Sequence, residues 1–508
     1  MADNSNTWLN GAGLTQGTAV KPQPPSSSKS LFSTTRIVLI VAAVALVTMF
    51  ALNLTPEPWA WESLRVIAVG LVLLSLFYFP KEYLKPSFVI WWMLLISECI
   101  FFREGDSTAN VKAYTGDFPT AAYGEVMMWG FCLIAVLVFS KRFRRFFAGL
   151  FEGDFKWPVA FAALCIVSCV YTPRPSLGLV WGLKLCLVVL LLLFCSNQMR
   201  TFRDTTSYLR YTIWAFVIIV LEPIVIAIMQ GQLFDEDGRM STVVSPNALS
   251  PEAGVIVLLA LTLYSRRKGE GLGKSAILLG IGACVVMILA ASKTGILAGI
   301  IAGGLYFIMR RRLGSAMTFI MATVALIAIL AISTPLGSYL HAYQQGEGAE
   351  SLSGRTILWD AVRPAIEQKP VFGHGYMSSE FIALQVRDVA WAAPQLHNGF
   401  LEAAYNVGFL GFLLIVIINL VIPLNFFRVL RRLSPLHPMY KVAAGCLALD
   451  IFLLINGFFN SSFGGKATAP FMLLLGLLVV STKLLAFSSS PPVQEENLRF
   501  AAAGAGHA

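Results

Sequence analysis

Charged side chains are scarce in this chain. Only 13% of its 508 residues are Asp, Glu, Lys or Arg, whereas an ordinary soluble domain has about a quarter, and 56% are hydrophobic. The mean hydropathy is +0.71. A single aqueous core cannot bury that much apolar surface, so the composition excludes a soluble enzyme. The expected fold class is an all-α polytopic membrane protein.

Three further absences narrow the choice. The eight cysteines lie in or beside apolar runs without the spacing of a metal site, and Cys165 and Cys169, four apart, are interpreted as packing residues. No internal repeat is visible, which weakens an inverted-repeat transporter interpretation. No cleavable signal peptide is recognised, because the first apolar run begins near Arg36, after a polar tail, and is long enough to remain as a span.

The apolar runs predict about fourteen transmembrane helices of a length that suits a bilayer core. The predicted spans are residues 36–53, 63–79, 87–102, 122–140, 157–171, 177–195, 207–230, 248–264, 275–291, 294–309, 315–333, 398–427, 439–459 and 466–486. The net charge of +10 falls in short clusters between these runs, which indicates topology rather than nucleic-acid binding. Most of the 38 Lys and Arg residues lie in alternate loops, which predicts that both termini are cytoplasmic.

The resulting organisation has five parts. Residues 1–35 are expected to form a cytoplasmic polar tail, 36–333 transmembrane helices 1–11, 334–397 one large outer loop (periplasmic or extracellular), 398–487 helices 12–14, and 488–508 a disordered cytoplasmic tail. The 334–397 loop is the only long polar segment between spans, so it is the expected location of the chemistry.

An amphipathic helix is predicted within this loop from Gly354 to about Gln368, with Ser353 as its N-cap. Arg355 in its first turn combines a guanidinium with the positive end of the helix dipole, which favours a phosphate. The alternative is a helix lying on the membrane with an incidental arginine. The expected apolar face contains Ile357, Leu358, Ala361, Val362, Ala365 and Ile366, and the row on the other side contains Arg355, Trp359, Arg363 and Glu367.

Two histidines of the loop are candidates for proton transfer. His397 immediately precedes an apolar helix predicted from Gly399 to Phe427, with Asn398 and Glu402 nearby as possible partners. His374 lies between Gly373 and Gly375, a pattern more typical of a turn residue. A lone interfacial histidine is often structural, so both roles remain open for His397.

Other charged residues have weaker signals. Arg239, followed by Asn247, and Lys293 lie on two further outer elements and are candidate anion-binding residues. The acidic run 235–237 suits either a divalent metal or a solvated turn. The charged residues inside spans are interpreted as buried polar anchors rather than an ion path: Glu98, Lys184, Glu222 and Asp450.

Three stretches together resemble the superfamily of O-antigen ligases and Wzy-type polysaccharide polymerases, over about residues 235 to 430. They are Gly238-Arg239 with Ser245-Pro246-Asn247-Ala248-Leu249; Ala291-Ser292-Lys293-Thr294-Gly295; and the loop motifs Ser353-Gly354-Arg355-Thr356-Ile357-Leu358-Trp359, Pro370-Val371-Phe372-Gly373-His374-Gly375-Tyr376 and Leu396-His397-Asn398-Gly399-Phe400-Leu401-Glu402, closing on Gly408-Phe409-Leu410-Gly411. Three features depart from the family pattern: Lys293 replaces an arginine, the glycine usual after Arg239 is missing, and fourteen spans exceed the usual ligase number. The sequence Trp391-Ala392-Ala393-Pro394, which leads up to His397, is closer to that of the exopolysaccharide polymerase branch.

The resemblance implies a GT-C-like, membrane-embedded glycosyltransferase in the bacterial inner membrane. Its donor is a glycan on undecaprenyl diphosphate and its acceptor a growing polymer or lipid A-core, with other polysaccharide assembly proteins as possible partners. His397 is then the candidate base and, with Arg355, catalytic, while Arg239, Lys293 and Arg355 hold the diphosphate without a metal or other cofactor. Implied supporting residues are Asn247, Asn398, Glu402, Gly373 and Gly375. A lipid-linked oligosaccharide flippase and a non-catalytic scaffold are the alternatives.

Overall fold

A computed structural model describes most of the chain from residue 153 onward. The described residues are 153–229, 245–265, 272–333, 355–381 and 396–491, together with 126, 129, 130, 231, 233, 234, 239, 240 and 242. All of them belong to the compact unit Val69–Ala508. Because few residues before 153 are described, the first four predicted spans and the N-terminal tail lie almost entirely outside the described residues, and so does the C-terminal tail after residue 491.

The described residues form helices connected by short segments. The α-helices are α1 (Lys156–Ser168), α2 (Pro175–Gln198), α3 (Phe202–Met229), α4 (Pro246–Leu263), α5 (Lys274–Leu289), α6 (Lys293–Met309), α7 (Leu313–Ser333), α8 (Arg355–Gln368), α9 (Gly399–Arg432), α10 (Pro438–Phe459) and α11 (Ala469–Ser488). Two short 3-10 helices cover Gly153–Phe155 and Ser378–Phe381. Within the described part of the chain, β-structure is limited to an isolated bridge between Phe234 and Met240.

Seven of these helices are long and apolar enough to cross a membrane: α2, α3, α4, α7, α9, α10 and α11. Helices α5 and α6 are apolar but shorter. The described part of the chain is therefore all-helical, and the protein is an integral membrane protein, as the composition predicted. Each of the ten predicted spans from 157–171 onward corresponds to a described helix, although α1 has only 13 residues and α9 extends five residues beyond the predicted 427. The total of fourteen spans is not established.

Local sequence explains where several helices begin. Pro175, Pro246 and Pro438 each occupy the first helical position of α2, α4 and α10, where proline's missing N–H costs no hydrogen bond. His437 precedes α10 and its imidazole accepts a hydrogen bond from the Met439 N–H. These residues fix where the chain re-enters the bundle.

Helix α10 occupies the centre of the described bundle and packs against α4, α6, α9 and α11. Small residues permit the close approach: a Cβ at Gly254 would lie 2.3 Å from the Phe452 ring, and one at Gly445 would lie 2.0 Å from the Thr262 hydroxyl. By contrast, only 11% of the apolar window of α7 is buried, so α7 lies at the periphery with its side chains facing lipid.

The same contacts set the direction of the helices. Gly254 and Thr262 of α4 meet Phe452 and Gly445 of α10, so the two helices are antiparallel. The Tyr440 hydroxyl donates to the Met309 carbonyl, which places the end of α6 beside the start of α10. The starts of α4, α6 and α9 therefore lie at the end of the bundle where α10 finishes. We call this the site end, and the other the opposite end.

Candidate functional site at one end of the helix bundle

Helix α9 is broken near its start, and the break receives the loop that precedes it. Gly408 has φ 73° and ψ −166°, a conformation that is essentially restricted to glycine. The break releases main-chain groups from helical pairing: the Phe409 N–H donates to Pro370, and the Tyr405 and Asn406 carbonyls accept from the N–H groups of 374 and 375. Residues 370–375 are thereby fixed against α9 by backbone hydrogen bonds.

The two loop glycines that the resemblance marked as supporting residues allow this contact. Gly373 has φ 68°, and a Cβ there would lie 2.5 Å from the Gly408 nitrogen. Gly375 has φ 98°, and a Cβ there would overlap the backbone of Thr172. A side chain at either position would separate the loop from the bundle.

Further along the loop, side chains complete the attachment. The Tyr376 hydroxyl donates to the Gly465 carbonyl at 2.8 Å, and the Asn406 amide oxygen accepts from the Ser379 N–H at 2.8 Å. The Asn406 amide group in turn donates to the Ser379 hydroxyl at 3.1 Å. Tyr376 and Asn406 are completely buried. The segment 370–381, which we call the docked loop, is thus part of the folded bundle.

Helix α8 packs across the first turns of α9. Leu358 and Val362 form a buried cluster with Leu396 and Tyr405. The Trp359 indole N–H donates to the Leu396 carbonyl at 2.9 Å. The prediction of an amphipathic helix here is confirmed, although the described helix begins at Arg355.

The predicted faces of α8 need two corrections. Ile357, assigned to the apolar face, is 55% exposed, while Trp359, assigned to the polar row, packs against the buried cluster. The physical reason is that α8 contacts α9 along a narrow stripe, which Trp359 reaches with its large ring. The Arg363–Glu367 pair predicted on the outer row does form, at 3.2 Å on the exposed surface.

Arg355 begins α8 and points toward the end of α10. Its Nη2 donates to the Asn460 amide oxygen at 3.2 Å. Asn460 follows the last residue of α10 and is 8% exposed. The guanidinium is therefore held at the site end by a residue that is 105 positions away in the sequence.

His397 lies between the buried Leu396 and the first turn of α9. It has φ 50°, an uncommon conformation for a residue other than glycine. Asn398 caps the helix, since its side-chain oxygen accepts from the N–H groups of Phe400 and Leu401 at 3.0 and 3.1 Å. The predicted support from Asn398 is therefore structural, because this cap fixes the backbone that positions His397.

The environment of His397 keeps its imidazole neutral. Burial, and then the positive charge of Arg355, lowers the pKa of His397 from 6.5 to about 4. The same proximity follows from the packing: Trp359, one turn after Arg355, donates to the carbonyl of Leu396, the residue before His397. At neutral pH the ring holds one proton and one free lone pair, so it can accept a proton.

A second polar group lies buried beneath this region. Glu402, in the first turn of α9, is 2% exposed and lies beside Glu380 and Lys466. Lys466 forms an ion pair with Glu380 at 3.0 Å, with side-chain exposures of 20% and 11%. The ion pair connects the docked loop to the segment between α10 and α11.

His374 has a structural position. Its Nε2 lies 2.8 Å from the Ala365 carbonyl oxygen, and its ring stacks on Tyr405 with centroids 4.5 Å apart. These contacts fasten the docked loop between α8 and α9. The sequence interpretation of His374 as a turn residue agrees with this position.

The remaining candidate cations and Asn247 also lie at the site end. Lys293 is the first residue of α6 and is half-buried. Arg239 precedes Met240, whose N–H donates to the Leu289 carbonyl at the end of α5. Asn247 is the second residue of α4. Arg239, Asn247 and Lys293 thus lie at this end of the bundle, and the bond from Trp359 to Leu396 brings the start of α8, with Arg355, near His397.

Within the described residues, no group of three His, Cys, Asp or Glu side chains is arranged to hold a metal ion. The acidic run 235–237, which the sequence offered as a possible metal motif, lies outside the described residues.

The sequence analysis assigned no individual role to four residues of this site: Tyr376, Glu380, Asn460 and Lys466. Asn460 follows the end of the predicted span 439–459, and Lys466 is the first residue of the predicted span 466–486. Their partners lie between 86 and 105 residues away, so no local pattern could identify them. A polar residue at the end of an apolar helix was the only available signal.

Comparison with known proteins adds one finding. Residues 275–416 match the family model of the O-antigen ligases. The match covers α5 to the first half of α9, including Lys293, Arg355 and His397. A search of the curated proteins finds no match.

Proposed function

Because residues 275–416 carry an O-antigen ligase domain, we propose that the protein transfers a glycan from undecaprenyl diphosphate to an acceptor sugar at the periplasmic face of the bacterial inner membrane. The membrane location and the glycan ligase or polymerase class rest on that domain and on the seven apolar helices. The observation that supports the chemistry is that α8 packs against the segment before α9, which brings Arg355 and His397 to the same part of the site end.

The reaction requires one proton transfer and one charged leaving group. An acceptor hydroxyl attacks the anomeric carbon of the donor, a new C–O bond forms, and the bond to the phosphate oxygen breaks. The hydroxyl proton passes to the neutral imidazole of His397, while the electron pair of the broken bond leaves with the lipid diphosphate. The acceptor is a growing polymer or a lipid A-core.

Fixed cations stabilise the charge that develops on the diphosphate. Arg355, held by Asn460 at the start of a helix, presents its guanidinium to the phosphate together with the positive end of the helix dipole. Arg239, in the segment before α4, and Lys293, at the start of α6, contribute further positive charge. With three cations in this role, no divalent metal is needed for the leaving group.

Binding of the donor also prepares the base. In the free protein the charge of Arg355 helps to hold the pKa of His397 near 4, which makes the imidazole a weak base. A bound diphosphate offsets that charge, so the His397 pKa rises toward the working pH when the donor is in place. The His397 imidazole is therefore a stronger base in the complex with the donor than in the free protein.

The competing function is a flippase for lipid-linked oligosaccharides. The observation that favours it is the presence of buried charged residues inside helices, among them Lys184, Glu222 and Asp450. A flippase would bind diphosphate without breaking a bond. A scaffold function would require neither His397 nor Arg355.

One assay separates these functions. Purified protein in detergent is mixed with glycan on undecaprenyl diphosphate and the acceptor, and the glycan product is measured. Transfer without a sealed compartment is chemistry, and we expect it to persist in a chelator of divalent ions. Absence of transfer, together with lipid movement in sealed vesicles, would instead establish transport.

The chain's departures from the ligase pattern favour polymerisation over ligation. The glycans that accumulate in a deletion strain distinguish the two reactions. Single repeat units should accumulate on the carrier lipid if the protein is a polymerase. Full-length chains should accumulate on the carrier if it is a ligase.

A further inference from the structure

A large cavity lies at the opposite end of the bundle, away from the proposed chemistry. Its volume is about 1410 Å³. Parts of α4, α5, α6 and α7 line it, together with the start of α3 and the segment that leads into α10. Small-molecule sites usually measure about 300–1,000 Å³, so this cavity suits a larger ligand.

The position follows from the helix directions. The cavity is lined by Leu263 at the end of α4, Arg310 just after α6 and Pro438 at the start of α10. Helix α10 has 22 residues and separates these from Asn460, a rise of roughly 33 Å at 1.5 Å per residue. The cavity and the site therefore lie on opposite faces of the membrane, and the charge distribution of the sequence predicts that the cavity is at the cytoplasmic face.

The lining combines an apolar wall with a basic rim. Ile277 and Ile281 of α5 line it and are 47% and 58% exposed, so the cavity opens toward the lipid-facing side of the bundle. Five cationic residues also line it, and no acidic residue is among the described lining residues: Arg203, Arg210, Arg310, Arg312 and Lys441.

Three of the cations converge on one place. The Tyr440 hydroxyl donates to the Met309 carbonyl, which brings Lys441 and Arg310, the next residue of each chain segment, to the same part of the lining, with Arg312 two residues further on. The Lys441 ammonium donates to the Tyr264 carbonyl, and the Arg310 Nη1 donates to the Tyr306 hydroxyl at 3.4 Å. The Arg310 Nε is buried and makes no hydrogen bond within the described residues. Like charges crowded beside an available donor are stabilised by an anion.

We propose that this cavity binds one anionic phospholipid of the cytoplasmic leaflet. Its phosphate contacts Arg310, Arg312 and Lys441, and its acyl chains lie against the apolar wall of α5 and α7. A phospholipid fits both features, because it presents a phosphate at the membrane surface and apolar chains beneath it. This site is separate from the proposed diphosphate site and does not depend on it.

The test uses the full-length protein in detergent with defined lipids. Binding of phosphatidylglycerol and of phosphatidylcholine is measured by native mass spectrometry and by the shift of the unfolding temperature. The wild type should prefer phosphatidylglycerol. Arg310→Gln with Arg312→Gln should weaken phosphatidylglycerol binding by about 5-fold for each charge removed.

Arg311→Gln is the matched control, because it removes the same charge as each of the other two substitutions. Arg311 lies between Arg310 and Arg312 in the sequence but is not among the lining residues. It should retain wild-type binding. Arg312 is exposed, so Arg312→Gln alone should fold and still give the single-charge effect if the double variant is unstable.

Three outcomes would overturn the proposal. One is equal phosphatidylglycerol binding by the double variant and by Arg311→Gln. Another is equal stabilisation by millimolar inorganic phosphate, which would indicate a site for free phosphate. The third is displacement of phosphatidylglycerol by a polyprenyl phosphate at a lower concentration than the phospholipid itself needs, which would assign the cavity to the carrier lipid.

Discussion

The two ends of the helix bundle hold arginine in different ways. At the site end, Arg355 begins a helix and donates to the buried Asn460 amide. At the opposite end, Arg310 and Arg312 follow the end of α6 and line an apolar cavity. A helix start adds positive potential to a guanidinium and orients it, whereas cations around an apolar space can hold an amphipathic anion without orienting a reacting bond. The comparison agrees with the two proposals, glycan transfer at the site end and lipid binding at the opposite end.

The backbone differs between the ends as well. The site end depends on a broken helix, a loop fixed by backbone hydrogen bonds and several positive φ angles, among them those of Gly408 and His397. Such conformations cost free energy and persist only where the surrounding structure enforces them. Substitutions at the site end should therefore affect activity far more than those at the opposite end.

The largest effect is expected from His397→Ala. Loss of the proposed base should reduce the rate of glycan transfer by about 10²- to 10⁴-fold. The measurement is polymer or ligated product formed by purified protein at equal concentration. His507→Ala, in the predicted cytoplasmic tail, is the control and should transfer normally. Near-normal product from the His397 variant would remove the assignment.

The second-largest effect is expected from substitutions of Arg355, which test whether its guanidinium binds the diphosphate. Arg355→Ala should reduce transfer by about 10²- to 10³-fold, comparable with the loss of one donor to a developing oxyanion. Arg355→Lys should recover only part of the rate, because lysine keeps the charge but loses the planar fork.

The control for Arg355 is on the same helix. Arg363→Ala removes an exposed arginine two turns later, whose pair with Glu367 should contribute less than about 1 kcal/mol, so transfer should change little. Equal losses in the two alanine variants would mean that α8 needs positive charge in general and would end the specific role of Arg355.

A smaller effect, on stability, is expected at the break in α9. A Cβ at Gly408 would lie 2.2 Å from the Val371 carbonyl oxygen, and the φ of 73° is strained for alanine. Gly408→Ala should destabilise the protein by about 1–3 kcal/mol and release the docked loop. Hydrogen exchange of residues 370–381 and the denaturant midpoint measure both changes.

Gly282→Ala provides the comparison on α5. A Cβ there meets nothing within 4 Å, so this change should be neutral or slightly stabilising. If both glycine variants behave alike, the docked loop does not depend on the break.

The smallest effect near neutral pH concerns the titration of His397. Because its pKa in the free protein is lowered to about 4, the neutral base is present throughout pH 6–8. The value of kcat/KM should therefore fall only as the pH drops toward about 4. Arg355→Gln should raise the His397 pKa, which NMR titration of the ring can follow.

The same shift links His397 to stability. The unfolded chain binds the histidine proton near pH 6.5, before the folded chain does, so the free energy of unfolding should fall as the pH decreases from about 6.5 toward 4. An acidic limb of kcat/KM near pH 6.5 would show that the free protein does not hold His397 in this environment.

The amino-acid sequence by itself determined the class of the protein and much of its helical layout. Scarce charge required a membrane, apolar runs located the helices from 157 onward, and the 3.6-residue period located α8 within one residue. The same pattern misplaced Ile357 and Trp359, because a period defines a face but not how much of that face a neighbouring helix covers.

Only the tertiary structure decided which distant groups meet. It joined Arg355 to Asn460 and Glu380 to Lys466, and it placed His374 between α8 and α9 but His397 just before α9, near the start of α8. The physical reason is that helix formation depends on residues three and four positions apart. Contacts between residues 86 or 105 positions apart depend on the packing of whole helices, which no local pattern records.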